Sequence, residues 1–354
     1  MSSNGFRKIL VTGSSGFIGG WTAQILAERG YTVRAQYRRS RIPTHLEEVQ
    51  RRGVELQRRD LTVLAEVRHL LQDVEAVIHC AALARDWGYE EDFFLHNVEV
   101  TKHLVEEARR AGCRVFVFLS SLSVYGFGDH RQSTEEGPFY PYVSGYQRSK
   151  KAAEEVVLRA AAPGFRVTVL RSGNAYGPGD TTTFYRLLAA QERGVRGTVS
   201  GNRALTSPVY VEDLVEAVIL ALENEAAAGQ VFNITSGEEV TWAEMMQHCA
   251  ELLGVRPWFE VPISLAWIAA YLFNGIYRLF RIKAEPVVFP YRIAHIARDY
   301  NFSIEKARRI LGYRPKTDWR TGLSRTVDAY RRYKDSGVNE FRTPPEQRGD
   351  RSSG

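Results

Sequence analysis

With 354 residues, 44% of them hydrophobic, and no long low-complexity tract, the chain is large enough to fold around one sizeable core or a core with a second lobe. Its net charge of +6 arises from 47 basic residues dispersed among 41 acidic ones, with no aromatic-interleaved basic motif, so nucleic-acid binding is not expected. Three scattered cysteines, Cys80, Cys113 and Cys249, are too few for a disulfide framework or a metal cluster, which argues for a reducing compartment, the cytoplasm, and against a metal site.

At the N-terminus, Met1 to Arg7 lead straight into Ile9-Leu10-Val11, an apolar run too short and wrongly flanked to be a secretory leader. From there to about residue 170, short apolar runs at 9–12, 32–37, 54–57, 76–79, 115–119 and 167–170 alternate with helical patterns. The alternation predicts an α/β fold, a doubly wound parallel sheet with helices on both faces. After Gly177-Pro178-Gly179 the rhythm loosens into helical stretches near 182–193, 212–223, 242–253 and 303–311, broken by short extended pieces such as 231–234. Residues 1–177 therefore read as mainly the sheet domain and 178–335 as mainly a smaller, interleaved substrate lobe. Residues 336–354, rich in Arg, Glu, Pro, Ser and Gly, read as a disordered tail.

Between the first apolar run and the first helix stands Val11-Thr12-Gly13-Ser14-Ser15-Gly16-Phe17-Ile18-Gly19. Gly13 takes a tight turn, Gly16 lets the backbone approach a pyrophosphate, and Gly19 lets the helix lie close on the sheet. Backbone N–H groups at the helix start, around Ser15, Phe17 and Ile18, bind the phosphates. A lone glycine triplet is weak, but the strand before it and the helix after it select dinucleotide binding over a flexible turn, and mark the first domain as Rossmann-type.

An acidic residue ending the second strand would bind the adenosine ribose and repel a 2′-phosphate. That strand instead ends Tyr37-Arg38-Arg39-Ser40, and two guanidiniums pair with a 2′-phosphate. NADP(H) is therefore favoured, with NAD(H) the other option if the arginines only coat a surface. Asp60-Leu61, after the third strand, suits an adenine contact and is compatible with a helix N-cap.

Tyr146 and Lys150 open the next helical pattern one turn apart on one face. A phenol with an ordinary pKa of about 10 is a poor base at neutral pH, and a neighbouring ammonium stabilises its phenolate. A Tyr-x-x-x-Lys pair is common by chance. Here it coincides with Ser120-Ser121-Leu122-Ser123 at the C-terminal end of the fifth strand, where parallel sheets bind ligands and a serine hydroxyl can donate to a substrate oxygen.

These motifs, from about Lys8 to Tyr333, resemble the extended short-chain dehydrogenase/reductase superfamily of the epimerase/dehydratase type. The resemblance implies an NAD(P)-dependent enzyme in which Ser121, Tyr146 and Lys150 form the catalytic triad, Asn97 supports the lysine, and Ser123 lines the pocket for a small-molecule substrate. It also implies that Ala81-Ala82 pack beside the cofactor, that the loop through Asn174 to Gly179 passes the nicotinamide, and that the chain is a homodimer through the helices bearing Asn97 and Tyr146. Val100 and Ser172 depart from the usual glycine and proline at their positions, which bears on local packing.

Within the superfamily, Leu83-Ala84-Arg85-Asp86-Trp87-Gly88 and Leu311-Gly312-Tyr313-Arg314-Pro315 resemble the 3β-hydroxysteroid dehydrogenase-like branch. Thr206 stands where nucleotide-sugar enzymes commonly carry a diphosphate-binding arginine, and Leu122 and Ser123 replace the acidic pair of dehydratases. The expected reaction interconverts a secondary alcohol and a ketone on a bulky apolar, steroid-like or lipid-like substrate. Asn174 falls where sugar enzymes often carry an asparagine in contact with substrate, which keeps a nucleotide-sugar 4-epimerase as the alternative.

Residues 263–282 carry more large apolar side chains than one core-facing stripe requires. Three readings stand: a buried helix of the lobe, a lid over an apolar substrate, or a peripheral membrane contact with Arg278, Arg281 and Lys283 at its basic end. The last would make the cytoplasmic protein membrane-associated.

Overall fold

The computed structural model describes residues 6–194, 197–199, 203–255, 259–280, 282 and 288–337. Apart from Ser336 and Gly337, the tail expected to be disordered lies outside these residues, as do Arg281 and Lys283.

Each apolar run becomes a strand: β1 (Ile9–Thr12), β2 (Val33–Tyr37), β3 (Glu55–Arg58), β4 (Ala76–His79), β5 (Val115–Ser121) and β6 (Arg166–Ser172). A seventh, β7 (Val231–Ile234), completes a wholly parallel sheet in the order β7-β6-β5-β4-β1-β2-β3. Strands covered on both faces have no polar side to show, which is why β1 reads Ile-Leu-Val-Thr and is buried throughout. Alternate side chains feed opposite cores. Ile9 and Val11 pack with Trp21 and Leu214 under α1 (Phe17–Glu28), while Leu10 joins Leu104, Phe116 and Val157 under α2 (Val100–Arg110) and α3 (Gly145–Arg159). Truncating a ring such as Phe116, fully buried between these layers, would cost about 3–5 kcal/mol.

The piece at 231–234, within the stretch read as mainly a lobe interleaved with the sheet domain, pairs with β6, Phe232 opposite Leu170, and its Phe232 and Ile234 fill the first core. The second half of the chain thus supplies an edge of the sheet. Beyond the sheet, Tyr176, Phe184, Tyr185, Tyr210 and Trp319 form a separate aromatic core for the lobe.

The helix α4 (Ile263–Leu279) rests on the short helix α5 (Pro290–Ala297) through Ala266, Ala270 and Ile293. A wholly buried helix is excluded: Leu265, Ile268, Leu272 and Leu279 are all exposed.

Strand order reverses between β1 and β4, so the crevice at their C-terminal ends is open to a ligand. The glycine turn follows β1 there, Ala81 and Ala82 follow β4, and Ser121 ends β5 alongside them.

Candidate active site

Gly13 has φ +70°, and a Cβ there would lie 2.7 Å from the Ala81 Cα and 2.8 Å from its nitrogen. Two constraints therefore demand glycine: the left-handed backbone and the close approach of the turn after β4. A Cβ at Gly19 would meet the Gly13 carbonyl oxygen at 2.4 Å, so this glycine lets α1 begin against the turn itself. At Gly16 the nearest such contact is 3.2 Å, and its N–H closes the turn onto the Gly13 carbonyl at 2.9 Å. Ser15, Phe17 and Ile18 are half-buried around this helix start.

Gln36, which the sequence reading missed, clamps the turn. Its side chain accepts from Gly13 N–H at 2.9 Å and donates to the Arg59 carbonyl at 2.7 Å. The signal was there: a glutamine inside a strand buried along its whole length needs partners for both ends of its amide.

Arg38 lines a cavity of about 280 Å³ with Arg58, Arg59, Asp60 and Glu66 at the ends of β2 and β3. Arg39 is exposed and does not line it; its charge acts on His45 instead. Arg58 and Arg59 were not anticipated. Tyr37 and Leu61 are buried. Burial opposes ionisation of Asp60, but the backbone N–H and hydroxyl of Thr62, at 3.0 and 2.8 Å, hold its carboxyl below the usual range, with Arg38 and His96 assisting. The carboxylate fixes the turn at Thr62 rather than capping a helix.

The helix α3 begins at Ser144, whose hydroxyl accepts from Gln147 N–H at 3.3 Å. Tyr146 follows in its first turn and Lys150 in its second. Burial pushes the Tyr146 phenol up to about 12, a hydrogen bond from Ser121 pulls against it, and the Asp86 carboxylate adds to the rise. Burial also pulls the Lys150 ammonium down to about 8, opposed by Glu154 and Cys80. Lys150 donates to the Leu119 carbonyl at 2.7 Å and sits 4.3 Å from the centre of the Phe118 ring.

Asn97 lies on a π-helical turn, Phe94–Glu99. It accepts from Leu83 N–H at 2.7 Å and donates to the Ser149 hydroxyl at 3.0 Å; Ser149 donates onward to the Tyr146 carbonyl at 2.9 Å. The asparagine thus braces the residue beside Lys150. Its own carbonyl accepts from Thr101 at 2.6 Å, and Thr101 is joined through His79 to Thr12, at 3.0 and 2.7 Å. Burial, then the charge of Lys150, pulls His79 down to about 3, so this link between glycine turn and α3 stays neutral. A buried ion pair, Arg171 Nη2 to Glu154 at 2.8 Å, ties β6 to α3 one turn beyond Lys150.

Ser121 also accepts from Ser123 N–H at 3.2 Å. The hydroxyls of Ser120 and Ser123 are buried with no hydrogen-bond partner, an arrangement that costs free energy unless a ligand supplies one. Around the phenol stand aromatic rings. Phe93 meets Tyr146 at 6.2 Å, and Trp87, Trp267, Phe289 and Tyr291 belong to the same cluster. Asn174 is occupied elsewhere, donating to the Thr206 hydroxyl at 2.9 Å.

The model of the NAD dependent epimerase/dehydratase family matches residues 9–235. The chain belongs to that family. It is an NAD(P)-dependent enzyme of the extended short-chain dehydrogenase/reductase superfamily, as the glycine turn and the Tyr146 helix led us to expect. A 2-alkyl-3-oxoalkanoate reductase of Stenotrophomonas maltophilia is 29% identical over 90% of this chain and 98% of its own length. A decarboxylating sterol-4-alpha-carboxylate 3-dehydrogenase of Mus musculus is 29% identical over 92% of this chain and 91% of its own. Among solved structures, MoeE5 in complex with UDP-glucuronic acid and NAD superposes with a TM-score of 0.73 at 27% identity, covering 92% of this chain and 99% of that one.

The residues of this family member fit a dinucleotide. The turn held by Gly13 and Gly19 opens onto the start of α1, and the cavity beside Arg38 stands at the ends of β2 and β3, one strand further along the same sheet edge.

Proposed function

We propose that the protein is an NADP(H)-preferring oxidoreductase that interconverts a secondary alcohol and a ketone on a bulky apolar small molecule, steroid-like or lipid-like. The observation that carries the substrate class is the apolar and aromatic cluster that holds Tyr146 together with Trp87, Trp267, Phe289 and Tyr291. The names of the sterol dehydrogenase and oxoalkanoate reductase relatives support the same class.

In this reading Tyr146 exchanges a proton with the substrate oxygen, and Ser121 donates a hydrogen bond to that oxygen. Lys150 is protonated at neutral pH and favours the phenolate; one of its protons anchors it to Leu119, and the others are available to the nicotinamide ribose. Ser123 offers a second donor to substrate. Asn97 acts through Ser149 as a positioning residue for α3. The first turn of α1 and Gly16 receive the pyrophosphate, and Ala81 and Ala82 pack beside the dinucleotide. Arg38, Arg58 and Arg59 would hold a 2′-phosphate, with Asp60 and Leu61 towards the adenine. The bound nicotinamide supplies or accepts the hydride.

A nucleotide-sugar 4-epimerase is the second reading, favoured by the likeness to MoeE5 with its bound UDP-glucuronic acid and to a UDP-glucose 4-epimerase of Thermotoga maritima. Against it, the Asn174 amide is bound to Thr206, where a diphosphate-binding arginine would be needed. Purified protein assayed with NADPH and apolar ketones is expected to oxidise the cofactor stoichiometrically, and Tyr146→Phe to abolish this. Conversion of a UDP-sugar without net cofactor turnover, together with inactivity on apolar ketones, would overturn the proposal.

A further inference from the structure

The helix α4 turns Ala266 and Ala270 inward, with Trp267 and Tyr277 towards the protein, and turns most of its large apolar residues outward. Ala266 and Ala270 are 5% and 0% exposed against α5, whereas Leu265, Ile268, Leu272 and Leu279 are 56%, 63%, 61% and 77% exposed. Burial within its own fold would favour the opposite rotation, so this face is built for an apolar environment outside the chain. At 3.6 residues per turn, the arc from Tyr271 through Leu265 to Phe273 spans roughly 200°. That is wider than the stripe one packed helix covers, and it suits a plane.

Charge identifies the plane. Between Glu260 and Glu285 the sequence holds no Asp or Glu but has Arg278, Arg281 and Lys283, and Tyr271 stands among the exposed residues of the helix. Clustered basic residues next to apolar and aromatic side chains complement an anionic lipid surface. No helix among the described residues is long and apolar enough to cross a membrane, so α4 would lie along the surface. On its protein side, Tyr277 meets Trp87 edge-on at 6.2 Å, and Trp87 belongs to the aromatic cluster that includes Tyr146.

We propose that α4 is an interfacial docking helix that lays this apolar face into an anionic bilayer, with the aromatic cluster that includes Tyr146 on its inner side. The docking stands apart from the identity of the reaction.

The test is co-sedimentation of the full-length protein with vesicles of phosphatidylcholine alone and of phosphatidylcholine mixed with phosphatidylglycerol. The wild type is expected to pellet with the mixed vesicles, less with phosphatidylcholine alone, and less as salt is raised. The triple variant Ile268→Glu, Leu272→Glu, Leu279→Glu should keep the wild-type Tm and dinucleotide binding while its vesicle affinity falls more than about tenfold. Should the triple variant not fold, Leu279→Glu alone, at the most exposed of these positions, is expected to weaken binding severalfold. Wild-type protein left in the supernatant, equal pelleting with both lipids, or undiminished binding by the folded variants overturns the proposal. So does a lipid-free dimer that the triple variant splits into monomers, which would assign the face to a second copy.

Discussion

The Lys150 ammonium donates at 2.7 Å to the carbonyl of Leu119, pinning the Tyr146 helix to the strand that ends in Ser121. Burial pulls this lysine from 10.5 down to about 8. The folded value lies below the unfolded one, so between about pH 8 and 10.5 the unfolded chain holds the extra proton, and the group's contribution to stability rises with pH. Lys150→Met removes the charge and keeps the length. The lost bond to Leu119 weighs equally at every pH, and other titrating groups are common to both proteins. The Tm of the variant relative to wild type is therefore expected to fall as pH rises through this window. A relative Tm that stays flat or rises with pH would show that the ammonium is not the desolvated group described. If Lys150 plays the part proposed for it beside the phenolate, turnover of the variant should drop by roughly 10² to 10⁴.

Asp86 acts on the same phenol from the other side. Its carboxylate raises the Tyr146 pKa and pairs with Arg292 at 3.4 Å. Asp86→Asn removes a negative charge and releases a positive one, and both changes favour the phenolate. In the direction of alcohol oxidation, the pH at which kcat/KM rises is expected to move down by several tenths of a unit. An unchanged or upward-shifted profile would mean that the carboxylate does not face the reacting proton.

The proposed preference for NADP(H) rests on Arg38, Arg58 and Arg59 meeting at the ends of two adjacent strands. Arg38→Ala and Arg58→Ala should each weaken NADPH binding by about tenfold, the loss of one charge-assisted phosphate contact, and leave NADH binding within about twofold. Arg39→Ala should do little, since Arg39 stands outside the cavity. Titration of both dinucleotides reads this directly. A tighter NADH affinity that none of these variants alters would remove the preference for NADP(H).

What the sequence reveals here is what neighbours in the chain determine. The glycine turn, the strand before it, the helix after it and the one-turn spacing of Tyr146 and Lys150 are all local. The missed features are meetings of distant segments. Gln36 reads as one polar residue in an apolar strand until its amide is seen joining Gly13 to Arg59. Arg58 and Arg59 look like surface charge until β3 comes to lie beside β2. The four residues of β7 carry an extended pattern but no mark of which strand they will pair with, and only packing sends Phe232 and Ile234 into the main core. The excess of apolar residues in α4 was legible; that the alanines would turn inward was not, since that depends on how closely α5 approaches.

Two glycines of one turn should separate packing from ligand binding. Gly13→Ala meets both a positive φ and the Ala81 backbone at 2.7 Å, neither of which a flexible side chain can relieve. A loss of more than about 2 kcal/mol is expected in denaturant unfolding, with dinucleotide affinity falling because the turn itself is displaced. Gly16→Ala meets only one carbonyl oxygen at 3.2 Å, so its unfolding free energy should stay within about 1 kcal/mol of wild type. If the pyrophosphate lies against this backbone, the added methyl must push it away, and affinity should fall by tenfold or more, about 1.4 kcal/mol or above, in a protein that is otherwise intact. Stability and affinity thus part company at Gly16 and move together at Gly13. A Gly16→Ala protein that binds the dinucleotide normally would place the phosphates elsewhere, and with them the nicotinamide opposite Tyr146.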